Sequence, residues 1–215
     1  MRSPELPDRD MFAKDPGGYS RSGWMRWAML SALHGDSADP MAPPSSDDLK
    51  SPILWLAQAE AMTQAAITLT QNQPTFDTMP PAMRGICDAQ YCGVALMLVG
   101  FSLEVCLKAM LILRQGIAAY TEAEKKHHHH KLHELADFIP GLTEKELGTL
   151  KMLAHFVAWA GRYPDPGPKQ IDKHEDIFAL SERHEICARD VFQVAAKVME
   201  HVSAVLDAQE HSAKL

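Results

Sequence analysis

The chain has 215 residues, 46% hydrophobic and 23% charged, with a net charge of −7. That is an ordinary globular profile, long enough to bury a core without metal or disulfide staples. It excludes a protein that tracks nucleic acid by bulk charge, because the balance is acidic and no Lys/Arg-rich run is present.

Residues 1 to about 21 are rich in Pro, Asp, Gly and Ser and are expected to be irregular or draped over the domain. Residues 22–34 suit a short helix with Trp24, Trp27 and Leu30 on its apolar face and Gly35 as its stop. Residues 36–50, with three prolines, read as a loop. Ser51 then serves as an N-cap and Pro52 takes the first helical position. Trp55, Ala59, Met62, Ala66 and Leu69 recur at 4-3-4-3 spacing, one face of a helix.

A break at 72–81 leads to the most distinctive stretch, Gly93–Leu113, which carries only two formal charges, Glu104 and Lys108. Its length would allow a membrane span, but mid-segment charges in lipid are costly and uncommon. A buried central helix over about 82–115 is expected instead, ended by Gly116. Gly93 and Gly100 inside it mark a close helix approach or a bend. Residues 117–126 read as a polar connection, and a short helix over 131–138 ends before Pro140. Thr143 and Glu146 spell a capping box for the next helix, whose inner face is Leu147, Leu150, Ala154 and Val157. One last long helix is expected over 174–209. Its stripe runs through Ile177, Leu180, His184, Cys187, Val191, Val194 and on to Val205.

The fold expected is all-α, an antiparallel up-and-down bundle of four main helices plus short accessory helices. Residues 1–50 form an N-terminal arm with a short helix, 51–209 the bundle, and 210–215 a tail. Four cysteines without a C-x-x-C pair read as reduced small hydrophobes, and the N-terminus has no apolar signal region. Both point to a cytoplasmic protein.

Three fragments then suggest a family. They are A-L-M-L-V-G-F-S-L-E-V-C-L-K-A-M-L-I, H-K-L-H-E-L-A and A-G-R-Y-P, in that order. Together they resemble the HEPN domains (higher eukaryote and prokaryote nucleotide-binding) over roughly residues 51–208. The resemblance places Glu104 and Lys108 on the family's L-E-x-x-x-K positions, His130 on its H-x-L, and Arg162 and Tyr163 on its R-Y-P. It implies an antiparallel helical bundle, a homodimer or a nucleotidyltransferase-type protein partner, and roles in stress response or defence, toxin–antitoxin pairs included. Binding of a nucleotide or RNA is also implied. The family's ribonuclease branch uses R-x(4–6)-H, and this sequence lacks it: eleven residues separate Arg162 from His174, and Arg183 and His184 are adjacent. A non-enzymatic binding module is therefore the expectation. The alternative is a divergent, metal-independent ribonuclease or nucleotide-processing enzyme using Glu104, Lys108, Arg162 and His184.

The polar candidates each have a plain reading beside the functional one. Glu104 and Lys108 share one helix face, and a carboxylate leaving water there needs donors or a cation. Arg162 is expected to supply them with its planar fork. The cluster is then a polar cleft or, more commonly, a buried ion network. His129, His130 and His133 form the weak metal alternative, since imidazole suits zinc, copper or nickel. Helix N-terminal packing is the plainer account of His130. His184 lies on an apolar stripe, where a satisfied core residue is commoner than a catalyst; with Arg162 it is the fallback acid/base group. No cofactor signature is present: no phosphate-cradling glycine loop, no Ser-His-Asp pattern, no H-E-x-x-H.

Overall fold

A computed structural model describes residues 9–33, 39, 41–168 and 171–212, and these are helical with no strand among them. The chain divides into two compact units, Met1–Leu54 and Trp55–Leu215.

In the first unit, α1 (Asp10–Lys14) is followed at once by α2 (Pro16–Leu33). The expected irregular stretch is thus helical from residue 10, with a break at Asp15. Asp15 explains the early start: its Oδ1 accepts from Gly18 N at 2.9 Å, and Pro16 occupies the first helical position. Trp24 and Trp27 lie 4.9 Å apart by ring centroid, and Trp27 Nε1 donates to Ser51 Oγ at 3.0 Å. The buried face continues through Ala28 and Ser31, whereas Leu30, expected on it, is 58% exposed. The expected stop at Gly35 lies outside the described residues. Within the loop expected over 36–50, Ser45 and Asp48 form a capping box that starts the four-residue α3 (Ser46–Leu49).

Most of α4 (Pro52–Gln71) belongs to the second unit. Its 4-3-4-3 stripe turns inward, with Ala59 and Ala66 fully packed. The centre is α5 (Pro81–Gln115), packed against α10 (Ala188–Ser212), α6 (Ile117–His127), α7 (Leu132–Leu135) and α8 (Glu144–His155). Leu103, Leu107 and Met110 are 0% exposed and meet Leu132, Leu150, Leu153, Val194 and Val198. Each such side chain stabilises the fold by about 1.5–3 kcal/mol. By length and composition α5 could cross a membrane, yet 67% of its most apolar 18-residue window is buried against the protein itself.

Two stretches differ from expectation. Residues 117–127 are helix rather than a polar connection, because Tyr120, 2% exposed, anchors α6 in the core against Trp55. The long last helix is two: α9 (Asp172–His184) and α10. At the junction Glu185 adopts a left-handed conformation (φ 48°), and Ile186 N bonds Ser181 O while Glu185 N bonds Glu182 O. That is a Schellman closure without its usual glycine, so the sequence gives no warning of it. Asp190 Oδ2 then accepts from Cys187 N at 2.8 Å to open α10.

The Thr143–Glu146 capping box forms as expected, and Lys197 Nζ from α10 joins it at 2.8 Å from Glu146 Oε2. From α8 the chain continues through a π-helical turn, Phe156–Ala160. Gly100 sits where α5 crosses this pair: a Cβ there would strike the Val157 methyl and lie 3.3 Å from Leu153 O. Gly100→Ala is expected to destabilise the protein by about 1–3 kcal/mol through overpacking, read as a lower denaturant midpoint at unchanged slope. Gly93→Ala, whose nearest contact would be 3.7 Å away, should cost much less.

Candidate functional site

Glu104 is 7% exposed in the middle of α5, and both its oxygens are engaged. Lys108 Nζ, one turn on, lies 2.7 Å from Oε1; His130 Nδ1 lies 2.8 Å from Oε2. The lysine is itself only 8% exposed. Nearby, Ser102 and Thr63 hydroxyls meet at 2.7 Å, joining α5 to α4. Tyr120 feels the triad too: burial, then the carboxylates of Glu124 and Glu104, push its phenol up to about 12.

Arg162 does not take part. It is exposed, donates to Ala158 O at the end of its own helix, and lies 5.5 Å from the Tyr163 ring centroid. Tyr163 is 57% exposed. The group that meets Glu104 from a later segment is therefore His130. A guanidinium after the π turn points off the end of its helix, while the 128–131 segment crosses α5 directly. His184 joins neither: its ring packs onto Gly148 of α8, where any Cβ would strike it, which ties α9 to α8. The alternative enzymatic set of Glu104, Lys108, Arg162 and His184 does not gather in one place.

The histidine run diverges. His127 stacks on Tyr120 at 5.5 Å, His130 is committed to Glu104, and His129 and His133 stand 3.8 and 3.9 Å from Glu134. Among the described residues no three His, Cys, Asp or Glu side chains converge as a metal would require.

Sequence reasoning missed a cavity of about 550 Å³ between α8 and α9, closed at one end by residues 129–134. Lys151, Ala154 and His155 of α8, with Ala158 of the π-helical turn, form one wall, and Lys173, Asp176, Leu180 and Arg183 of α9 the other. Lys131 and Glu134 pair at the end wall, 2.8 Å apart. Four fixed cations thus face two carboxylates, in a chain that is net acidic. Lys151 and Arg183 have no carboxylate within ion-pair distance among the described residues. The only signal was charge spaced three and four apart beside each apolar stripe, as any solvated face shows.

Two histidines of this cavity are held below the ordinary imidazole range. Burial is the main cause for both; Lys151 lowers His133 further, and Lys173 lowers His155 against the opposing pull of Asp176. His133 Nδ1 is buried with no hydrogen-bond partner among the described residues.

No protein-family model, curated protein or solved structure matches the chain.

Two measurements follow. Glu104→Ala leaves the Lys108 ammonium buried and unpaired and should cost about 3 kcal/mol or more, whereas Arg162→Ala should stay within about 0.5 kcal/mol; denaturant melts of both variants check this. For pH, His133 and His155 take protons more readily in the unfolded chain, near pH 6.5, than in the fold. Their contribution is complete above that value, begins to be lost as pH falls below it, and is gone once pH has passed through the lower folded-state values. Stability should therefore drop between pH 7 and 5.5, and a His133→Gln/His155→Gln variant should show a shallower slope.

Proposed function

We propose that the chain is a HEPN-like helical module, an up-and-down bundle of four main helices that acts by binding rather than by catalysis. It works as a homodimer or as the partner of another protein, of the nucleotidyltransferase type, in a stress or defence setting such as a toxin–antitoxin pair. A nucleotide or RNA is the ligand class this reading implies.

One observation carries the reading. Two of the three fragments that suggested the family, S-L-E-x-x-x-K and H-K-L, lie 26 residues apart in the chain yet meet through Glu104 and His130 at 2.8 Å. The triad also favours a structural over a catalytic role: each carboxylate oxygen already accepts a short, charge-assisted hydrogen bond. The third fragment supports the reading less, since Arg162 stands apart from the triad.

The homodimer follows from the resemblance; a two-fold interface would cover apolar side chains exposed on the second unit, such as Ile86 or Phe178, each 54% exposed. Light scattering coupled to size exclusion, followed by incubation with structured RNA, tests the reading. The expected result is twice the chain mass and intact RNA. A monomer at all concentrations would remove the dimer, and RNA cleavage abolished by Glu104→Gln would overturn the binding role.

A further inference from the structure

The cavity between α8 and α9 is separate from the Glu104 carboxylate, which it borders only through His130. Its charge is opposite to that of the chain. Glu134 is already engaged by Lys131 at 2.8 Å and flanked by His129 and His133. That leaves Lys151 on one wall and Arg183 on the other as cations without a carboxylate partner among the described residues. Between them lies an apolar floor of Ala154, Ala158, Ala179 and Leu180.

We propose that this cavity binds a small phosphomonoester, its phosphate taken by Lys151 and Arg183 and its carbon skeleton laid over the alanine floor. Three features select that class. The volume, about 550 Å³, falls within the range of roughly 300–1,000 Å³ that holds small molecules. A phosphate dianion matches the charge of Lys151 and Arg183, the two wall cations without a carboxylate partner among the described residues, and a guanidinium fork grips phosphate with two parallel bonds. A focal basic cavity on a chain of net charge −7 attracts a compact anion, while the rest of the surface repels an extended polyanion. His155 and His133, whose burial disfavours the charged imidazole, bring ring nitrogens to the same walls.

The proposal rests on the reading of the chain as a binding module and narrows its ligand. It is tested by calorimetry on the full chain with inorganic phosphate, ribose 5-phosphate, AMP, adenosine and a single-stranded RNA. AMP and ribose 5-phosphate are expected to bind tighter than about 1 mM, with free phosphate weaker and adenosine silent. Each of Lys151→Gln and Arg183→Gln, both on exposed side chains, should weaken binding about tenfold or more, the loss of one charged hydrogen bond. Lys125→Gln, outside the cavity, should leave it unchanged, and circular dichroism confirms that all three variants are folded. No phosphorylated probe binding, binding indifferent to Lys151 and Arg183, or RNA binding alone would each overturn the proposal. Failure here leaves the dimer and RNA-cleavage results untouched; RNA cleavage alongside intact AMP binding would overturn the binding-module reading and leave this site standing.

Discussion

A single carboxylate, held away from water at the middle of α5, constrains much of the second unit. Stripping Glu104 of water costs several kcal/mol unless charge and hydrogen bonds replace what is lost. Lys108 supplies one partner at no topological cost, because it stands one turn further along the same helix. The second oxygen faces outward from α5, so its partner must come from another segment. The chain after α6 therefore has to cross α5 at the height of residue 104, and His130 fixes that crossing. From there Leu132 and Leu135 drop into the core beside Leu107 and Leu150. The triad thus sets a register: which residues of the 128–135 segment are core and which are left at the surface.

The same crossing explains why four consecutive histidines make no metal site. In a helix, neighbours one and two apart point in different directions. In the irregular 128–131 segment they diverge as well: His127 meets an aromatic face, His130 a core carboxylate and His129 the exposed Glu134. Composition alone would have grouped them, and the backbone path separates them.

What could be read from the residues follows from how local each cause is. The α5 core, the inward stripe of α4 and the Thr143–Glu146 cap depend on spacing within one helix, and all three are legible. The break between α9 and α10 is not, because Glu185 takes a left-handed conformation that glycine would have announced. The triad was half legible: Glu104 had to find a partner from a later segment, but choosing between His130 and Arg162 needed the path of the chain after α6. The cavity was illegible, since Lys151 and Arg183 are ordinary surface charges until α8 and α9 are placed side by side.

The placement of α9 gives that cavity a mechanical character. None of its residues is fully buried; it is held by the partly buried Ile177 and Leu180 and by His184 seated on Gly148. Elements with few buried apolar contacts open at lower free-energy cost than the global fold. The wall bearing Arg183 is therefore the softer of the two, and the wall bearing Lys151 belongs to a helix whose next residues, Met152 and Leu153, are in the core. An anion bridging the two cations would join a mobile element to a fixed one, and its binding energy would appear partly as added protection of α9. At such a site the affinity for an anion would depend on the stability of α9 as much as on the number of charges.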